Sequence, residues 1–329
     1  MPAMTTSRIT SVAVAITALA LGSSSAPSRA GTSPSALTSR IAQPARAPQA
    51  RTATRRPSDS KPYTYAWPVK PFREQHPVRG FFGDPRIANH GESRQFHFGI
   101  DISAPNGTPV YATITGRIWI HPLHATTVMI TGPDGVEFSY WHVVPTVRTG
   151  DRATAYETVI GHIEAPYGHV HFSEARWGRY LNPLRPGALG PYADGTRPLA
   201  RSVNVVDDGL VVETYDETPL AIPRPWQGLP VMPAVVRCRA LDADGRTVLG
   251  WRTLVDFRET IPSASEFDRV WATGTTQNHV REPGRFRLIV ASGEELRALS
   301  SGRYVVEVVL ADTRGNTTRS RFPLSLSGS

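Results

Sequence analysis

Two short strings carry residue types that bind metal ions. One holds His97, Gly99 and Asp101; the other holds His169 and His171. Each string reads as a β-strand, on which successive side chains point to opposite faces. His97, Gly99 and Asp101 are then expected on one face, with Phe98, Ile100 and Ile102 on the other. In the second string His169 and His171 share a face, and Val170 and Phe172 take the reverse. Imidazoles and a carboxylate converge on one side while apolar groups bury on the other. A catalytic zinc takes three nitrogen or oxygen ligands from protein and keeps a position open for water. The two strings supply three such ligands and one spare imidazole. A third string ends on another histidine, with Phe138, Tyr140 and His142 expected on one face.

Other chemistries find less support. The chain lacks an HExxH helix signature and a G-x-S-x-G elbow, and phosphate-binding glycine-rich motifs are not found. Its single cysteine, Cys238, alternates like a strand residue with no histidine nearby, which reads as a buried structural thiol. Asp242, Asp244 and Gly245 match only a fragment of a calcium loop and read as a hairpin turn.

The order and spacing of the motifs resemble those of the lysostaphin-type (LytM-like) zinc endopeptidases that cut peptidoglycan peptides. The resemblance covers roughly residues 64–186. It begins with Trp67 and Pro68 and a Phe82, Gly83, Arg86 turn, and continues with the His97, Gly99, Asp101 string. Gly107, Thr108, Pro109, Val110 and Ala112 follow, with Gly116 four residues on. Tyr140 with His142, then His169, His171 and Phe172, then Asn182, Pro183 and Leu184 close the pattern. The resemblance implies that His97, Asp101 and His171 are the zinc ligands. It also implies that His142 and His169 flank the metal-bound water as catalytic helpers. One imidazole would take a proton from that water and the other would donate to the developing oxyanion. Sequence does not assign the two jobs between them.

Three stretches depart from the family pattern. The approach to His169, residues 161–168, is short and poor in glycine. The stretch 87–95 is long and carries His90 and Glu92. The central hairpin, 121–131, carries His121 and His124. These stretches are expected to border the substrate groove and to change its preference while leaving the metal ligands intact.

At 329 residues the chain can hold two domains and a tail. An apolar run at 9–22, followed by small residues ending at Ala30, has signal-peptide architecture over 1–30 and is too short to span a membrane. The rival reading of that run is a membrane anchor. Residues 31–60 are rich in Ala, Ser, Thr, Pro and Arg, a composition that cannot bury a core and reads as a disordered basic linker. The net charge of +8 suits anionic cell-envelope polymers. No basic recognition helix supports nucleic acid.

The fold class expected is all-β: a lysostaphin-type antiparallel peptidase domain over 61–192, then an immunoglobulin-like β-sandwich over 195–329. Strands are read at 117–120, 127–130 and 136–142, with a turn at 132–135. Further strands are read at 202–206, 210–215, 231–240, 286–290 and 303–311. One short helix is expected within 293–300, and a closing hairpin follows at 302–316. The stretch 258–283 gives no pattern. The reading is a secreted or cell-envelope zinc metalloendopeptidase acting on peptidoglycan stem or cross-bridge peptides. Its rivals are a non-catalytic relative that activates another wall hydrolase and an envelope-binding protein working through its C-terminal β-sandwich.

Overall fold

Alternating apolar residues build the sheet that carries Asp101, His169 and His171. The computed structural model describes residues 65–87, 94–207 and 209–327. The expected signal peptide at 1–30, the linker at 31–60, and His90 and Glu92 lie outside them. The main sheet is eight-stranded and antiparallel. Its central order is Val78–Gly80, Ile100–Ser103, His169–Arg176, Val136–Trp141, Thr127–Thr131 and Gly116–Ile120. One face is apolar: Ile100, Ile102, Ile118, Ile130, Phe138, Tyr140, Val170 and Phe172 are fully buried. Phe138 stacks on Phe172 with centroids 5.2 Å apart, and Tyr65 meets Phe138 edge-on at 4.6 Å. Each such burial is worth about 1.5–3 kcal/mol. The same face holds one buried carboxylate, Glu174. Its two oxygens take both terminal nitrogens of Arg185 at 2.7 Å, and the Tyr65 hydroxyl donates to it at 2.7 Å.

The expected strands at 117–120, 127–130 and 136–142 are present, and the turn at 132–135 joins the last two. Beyond residue 198 come a three-stranded sheet and a four-stranded sheet, both antiparallel. The chain is therefore of the all-β class. Gly302–Ala311 and Thr317–Leu326 form the expected hairpin, and Asp242 and Gly245 sit in a turn between paired strands. Cys238 is buried and free, its thiol pushed up to about 12 by burial. The short helix is Gly293–Arg297, started by a capping box in which Ser292 and Glu295 bond each other's backbone. No helix among the described residues is long and apolar enough to cross a membrane.

The described residues belong to one compact unit, and packing runs across the 193–194 boundary. Gly83 takes φ +93° with the Phe257 ring lying where a Cβ would go. Phe96 packs on Phe257 at 5.8 Å and on Phe267 at 5.4 Å. Asp84 Oδ1 accepts from the Met232 backbone at 2.9 Å, and the Asn182 amide donates to the Phe257 carbonyl at 2.8 Å. The unpatterned stretch 258–283 supplies much of this contact through Phe267 and Trp271.

Candidate metal centre

Strand register brings the ligand candidates together. His171 pairs with Asp101 on one neighbouring strand and with Trp141 on the other. Directly opposed residues of antiparallel strands place their side chains side by side on one face. Val170 and Phe172 point into the core as expected.

His97 departs from the expected strand. Residues 97–99 fall in a break between Gln95–Phe96 and Ile100–Ser103. Backbone bonds hold His97 there instead: its N–H donates to the Asp84 carbonyl at 2.8 Å, and its carbonyl accepts from Gly83 N–H at 2.9 Å. The break also turns Phe98 away from the core. Its ring lies 4.7 Å from His171 and 5.6 Å from Trp141 rather than beside Ile100. Gly99 is required by close approach: a Cβ would stand 2.5 Å from the Phe172 carbonyl oxygen and 2.8 Å from His171 Nε2.

The three groups meet at one point. His97 Nε2 is 2.7 Å from His171 Nδ1, and each is 3.1 Å from Asp101 Oδ1. The His97 ring proton lies elsewhere. His97 Nδ1 contacts the Phe81 carbonyl at 2.8 Å, which can only accept, so it carries the proton. His171 Nε2 faces Ser173 Oγ at 2.9 Å, a hydroxyl that can accept from a protonated Nε2 or donate to a bare one. Burial depresses both imidazoles, that of His171 to about 3, with the Arg86 guanidinium adding to the effect. Burial alone would raise Asp101; His97, Arg86 and His169 overcome it and hold the carboxyl well below its usual range. Arg86 donates to Asp101 Oδ2 at 2.7 Å. With the His171 proton on Nε2, two neutral nitrogens and one carboxylate oxygen point lone pairs at one another. Such a donor set fits a divalent cation, and the remaining ring nitrogens have the outer hydrogen-bond partners usual for metal-ligating histidines. Among the described residues this is the one cluster able to hold a metal ion.

His142 and His169 stand at the edge of this cluster. His142 has φ +62°, which ends the strand Val136–Trp141. Its side chain therefore leaves the face of Phe138 and Tyr140, against the strand-based expectation. The ring stacks on Tyr167 at 3.9 Å and lies 4.7 Å from His169. Burial, reinforced by His169, lowers His142 to about 3. Neither ring nitrogen has a hydrogen-bond partner among the described residues. His169 Nε2 sits 3.5 Å from Asp101 Oδ1, while its Nδ1 is 2.6 Å from Arg79 Nη2. A guanidinium nitrogen can only donate, so Nδ1 accepts and the ring proton belongs on Nε2. The Tyr167 carbonyl, 3.0 Å from Nδ1, receives its own proton from Arg79 at 2.9 Å. The motif reading missed Arg79, because a lone arginine on a short strand carries no spacing signal.

Asp101, His142, His169 and His171 form the floor of a cleft of about 890 Å³. Pro166, Tyr167 and Gly168 make one wall, as expected for the loop before His169. The hairpin carrying His121 and His124 instead stacks on Trp141, at 5.7 and 5.1 Å. Further lining comes from Arg224, Trp226, Gln277 and Asn278, far along the chain.

Residues 95–183 match peptidase family M23, in agreement with the motif resemblance. Solved structures similar to the chain include a zinc-containing peptidase from Vibrio cholerae, 21% identical over 38% of this chain and 41% of that one, TM-score 0.32. Another is a catalytic-domain variant of the prophage-encoded M23 protein EnpA from Enterococcus faecalis, 24% identical over 37% and 98%, TM-score 0.29. A third is the catalytic domain of the antimicrobial peptidase lysostaphin from Staphylococcus simulans, 24% identical over 29% and 77%, TM-score 0.24. No curated protein matches the chain.

Proposed function

From a chain whose residues 95–183 match peptidase family M23, we propose an exported zinc endopeptidase that hydrolyses peptide bonds in peptidoglycan stem or cross-bridge peptides. The observation that carries this reading is the convergence of His97, Asp101 and His171 on one point, the last two lining an open cleft beside two further imidazoles. Zinc held by those three residues would supply Lewis-acid polarisation of the scissile carbonyl and a lowered pKa for a water molecule.

The protein's own groups then divide the proton work. His169, with Nε2–H fixed by Arg79, is the donor to the developing oxyanion. His142, whose ring nitrogens are unpaired and whose ring is kept neutral by burial, is the base that accepts a proton and returns one to the leaving amine. The immunoglobulin-like reading of 195–329 and export through 1–30, with a mature start near Gly31, belong to the same proposal.

Elemental analysis together with digestion of purified peptidoglycan tests it. About one zinc per chain and new peptide termini in the mass spectrum are expected. Bound zinc with no new termini would instead favour a non-catalytic, binding role.

A further inference from the structure

Besides Pro166, Tyr167 and Gly168, the cleft has a wall from residues outside 95–183. Pro223, Arg224, Pro225 and Trp226 line the cleft, and Gln277 and Asn278 continue the wall. Hydrogen bonds hold this wall, one of them to the segment that follows Arg86. Gln277 Oε1 accepts from the Ile87 N–H at 2.7 Å. The Asn278 amide donates to the Pro230 carbonyl at 2.6 Å and its Oδ1 accepts from Gly284 N–H at 2.7 Å. The Arg79 guanidinium lies 4.0 Å above the Trp226 ring, and the same guanidinium holds His169. A cation over an indole face is attracted to the ring quadrupole. One arginine thus joins Trp226 to Tyr167 and His169.

The charge of the cleft is one-sided. Arg79, Arg86 and Arg224 line it, against Asp101 as its one acidic residue among those described. Arg86 is committed to Asp101 at 2.7 Å. Arg224 is exposed and forms no ion pair among the described residues. Arg79 meets a carbonyl, a ring nitrogen of His169 and an indole, and no carboxylate within ion-pair distance among the described residues. Two cations are thus in excess, and a divalent ion on the three ligands would add to that excess rather than cancel it. Walls of one sign around a cleft concentrate ligands of the other. Arg is the side chain best shaped to take a carboxylate through two parallel bonds.

We propose that this cleft selects peptides bearing a free carboxylate close to the bond to be cut, read by Arg224 on the Trp226 wall. The region 195–329 is on this view part of the substrate site. The inference rests on the peptidase reading for its choice of ligand.

Calorimetric titration tests it with the whole described unit. The probes are a synthetic peptidoglycan stem pentapeptide with free carboxylates and the same peptide with those groups amidated. The wild-type protein is expected to bind the free acid about tenfold more tightly at low salt, and the preference should shrink as salt screens it. Arg224→Gln should bring the two affinities together with zinc content and circular dichroism unchanged, and Arg224→Lys should restore part of the preference. Equal binding of both peptides by the wild type, no binding of either, or an unchanged preference in Arg224→Gln overturns the proposal. Cleavage assays keep the two readings apart. Preference for the acid with no hydrolysis would sink the peptidase reading alone, whereas hydrolysis of both peptides with equal affinity would sink this inference alone.

Discussion

Arg79 decides a question at the residue scale that histidine spacing leaves open. Its guanidinium holds His169 Nδ1 and so places the proton on Nε2. Replacing it with methionine should release that constraint, and nitrogen-15 NMR of the His169 ring should then show a mixture of tautomers. A single unchanged tautomer would remove Arg79 from the assignment. The ligands and the helpers should separate in the same way. His171→Ala is expected to lose bound zinc by elemental analysis. His142→Ala and His169→Ala should keep it and lose about a hundredfold to ten-thousandfold in turnover on peptidoglycan peptides. Gly99→Ala should impair metal binding without removing a ligand, because its new methyl would press on the Phe172 carbonyl and on His171.

At the scale of elements, the strand His169–Arg176 does two jobs with its two faces. One face presents His169 and His171 to the cleft; the other presents Val170, Phe172 and Glu174 to the core. Glu174 is fully buried, and its bonds to Tyr65 and Arg185 tie the strand to segments that precede and follow it in sequence. Removing one partner of a buried pair leaves the other charge unpaired, at a typical cost of about 3–5 kcal/mol. Glu174→Ala should therefore lower stability by that order in a denaturant titration. A loss below about 1 kcal/mol would show that Arg185 finds water or Glu259, which lies 3.8 Å from it.

The whole molecule shows its most distinct pH dependence away from the cleft. Asp216 is buried, and its Oδ2 has no hydrogen-bond partner among the described residues. Burial raises its carboxyl to about 7; Asp194, Asp312 and Glu217 add to the rise, while a bond from the Glu217 N–H opposes it. The folded chain then keeps this proton up to about pH 7, whereas the unfolded chain gives it up near pH 4. Between those values the folded state binds more protons, so this group's contribution to stability falls as pH rises through the window. Asp216→Asn should match the wild type near pH 4 and exceed it by on the order of 2–4 kcal/mol above pH 7. Thermal unfolding at a series of pH values checks this, and a difference that does not grow with pH would refute it. Phe257 tests the continuity of the fold. It is fully buried, touches Phe96 and covers Gly83. Phe257→Ala should cost about 3–5 kcal/mol and shift a single calorimetric transition. Two separated transitions would show that 61–192 and 195–329 unfold independently.

Much of this protein could be read from the chain alone. Strand periodicity located Val170 and Phe172 on the reverse of the two histidines, the hairpin around 132–135 and the all-β class, because alternation along a strand is a local property. The motif resemblance implied His97, Asp101 and His171, since residue type and order survive in a linear string. Where local geometry breaks the period, the sequence misled. His97 lies outside any strand and is held by Asp84 and Gly83, and the positive φ at His142 swings its ring onto Tyr167. Only the tertiary structure decided the proton on His169, through Arg79, and a wall of the cleft, through Arg224 and Trp226. The cause is sequence distance. Trp226 meets Arg79 because strands and buried rings from opposite ends of the chain share one core, and no local spacing encodes that meeting.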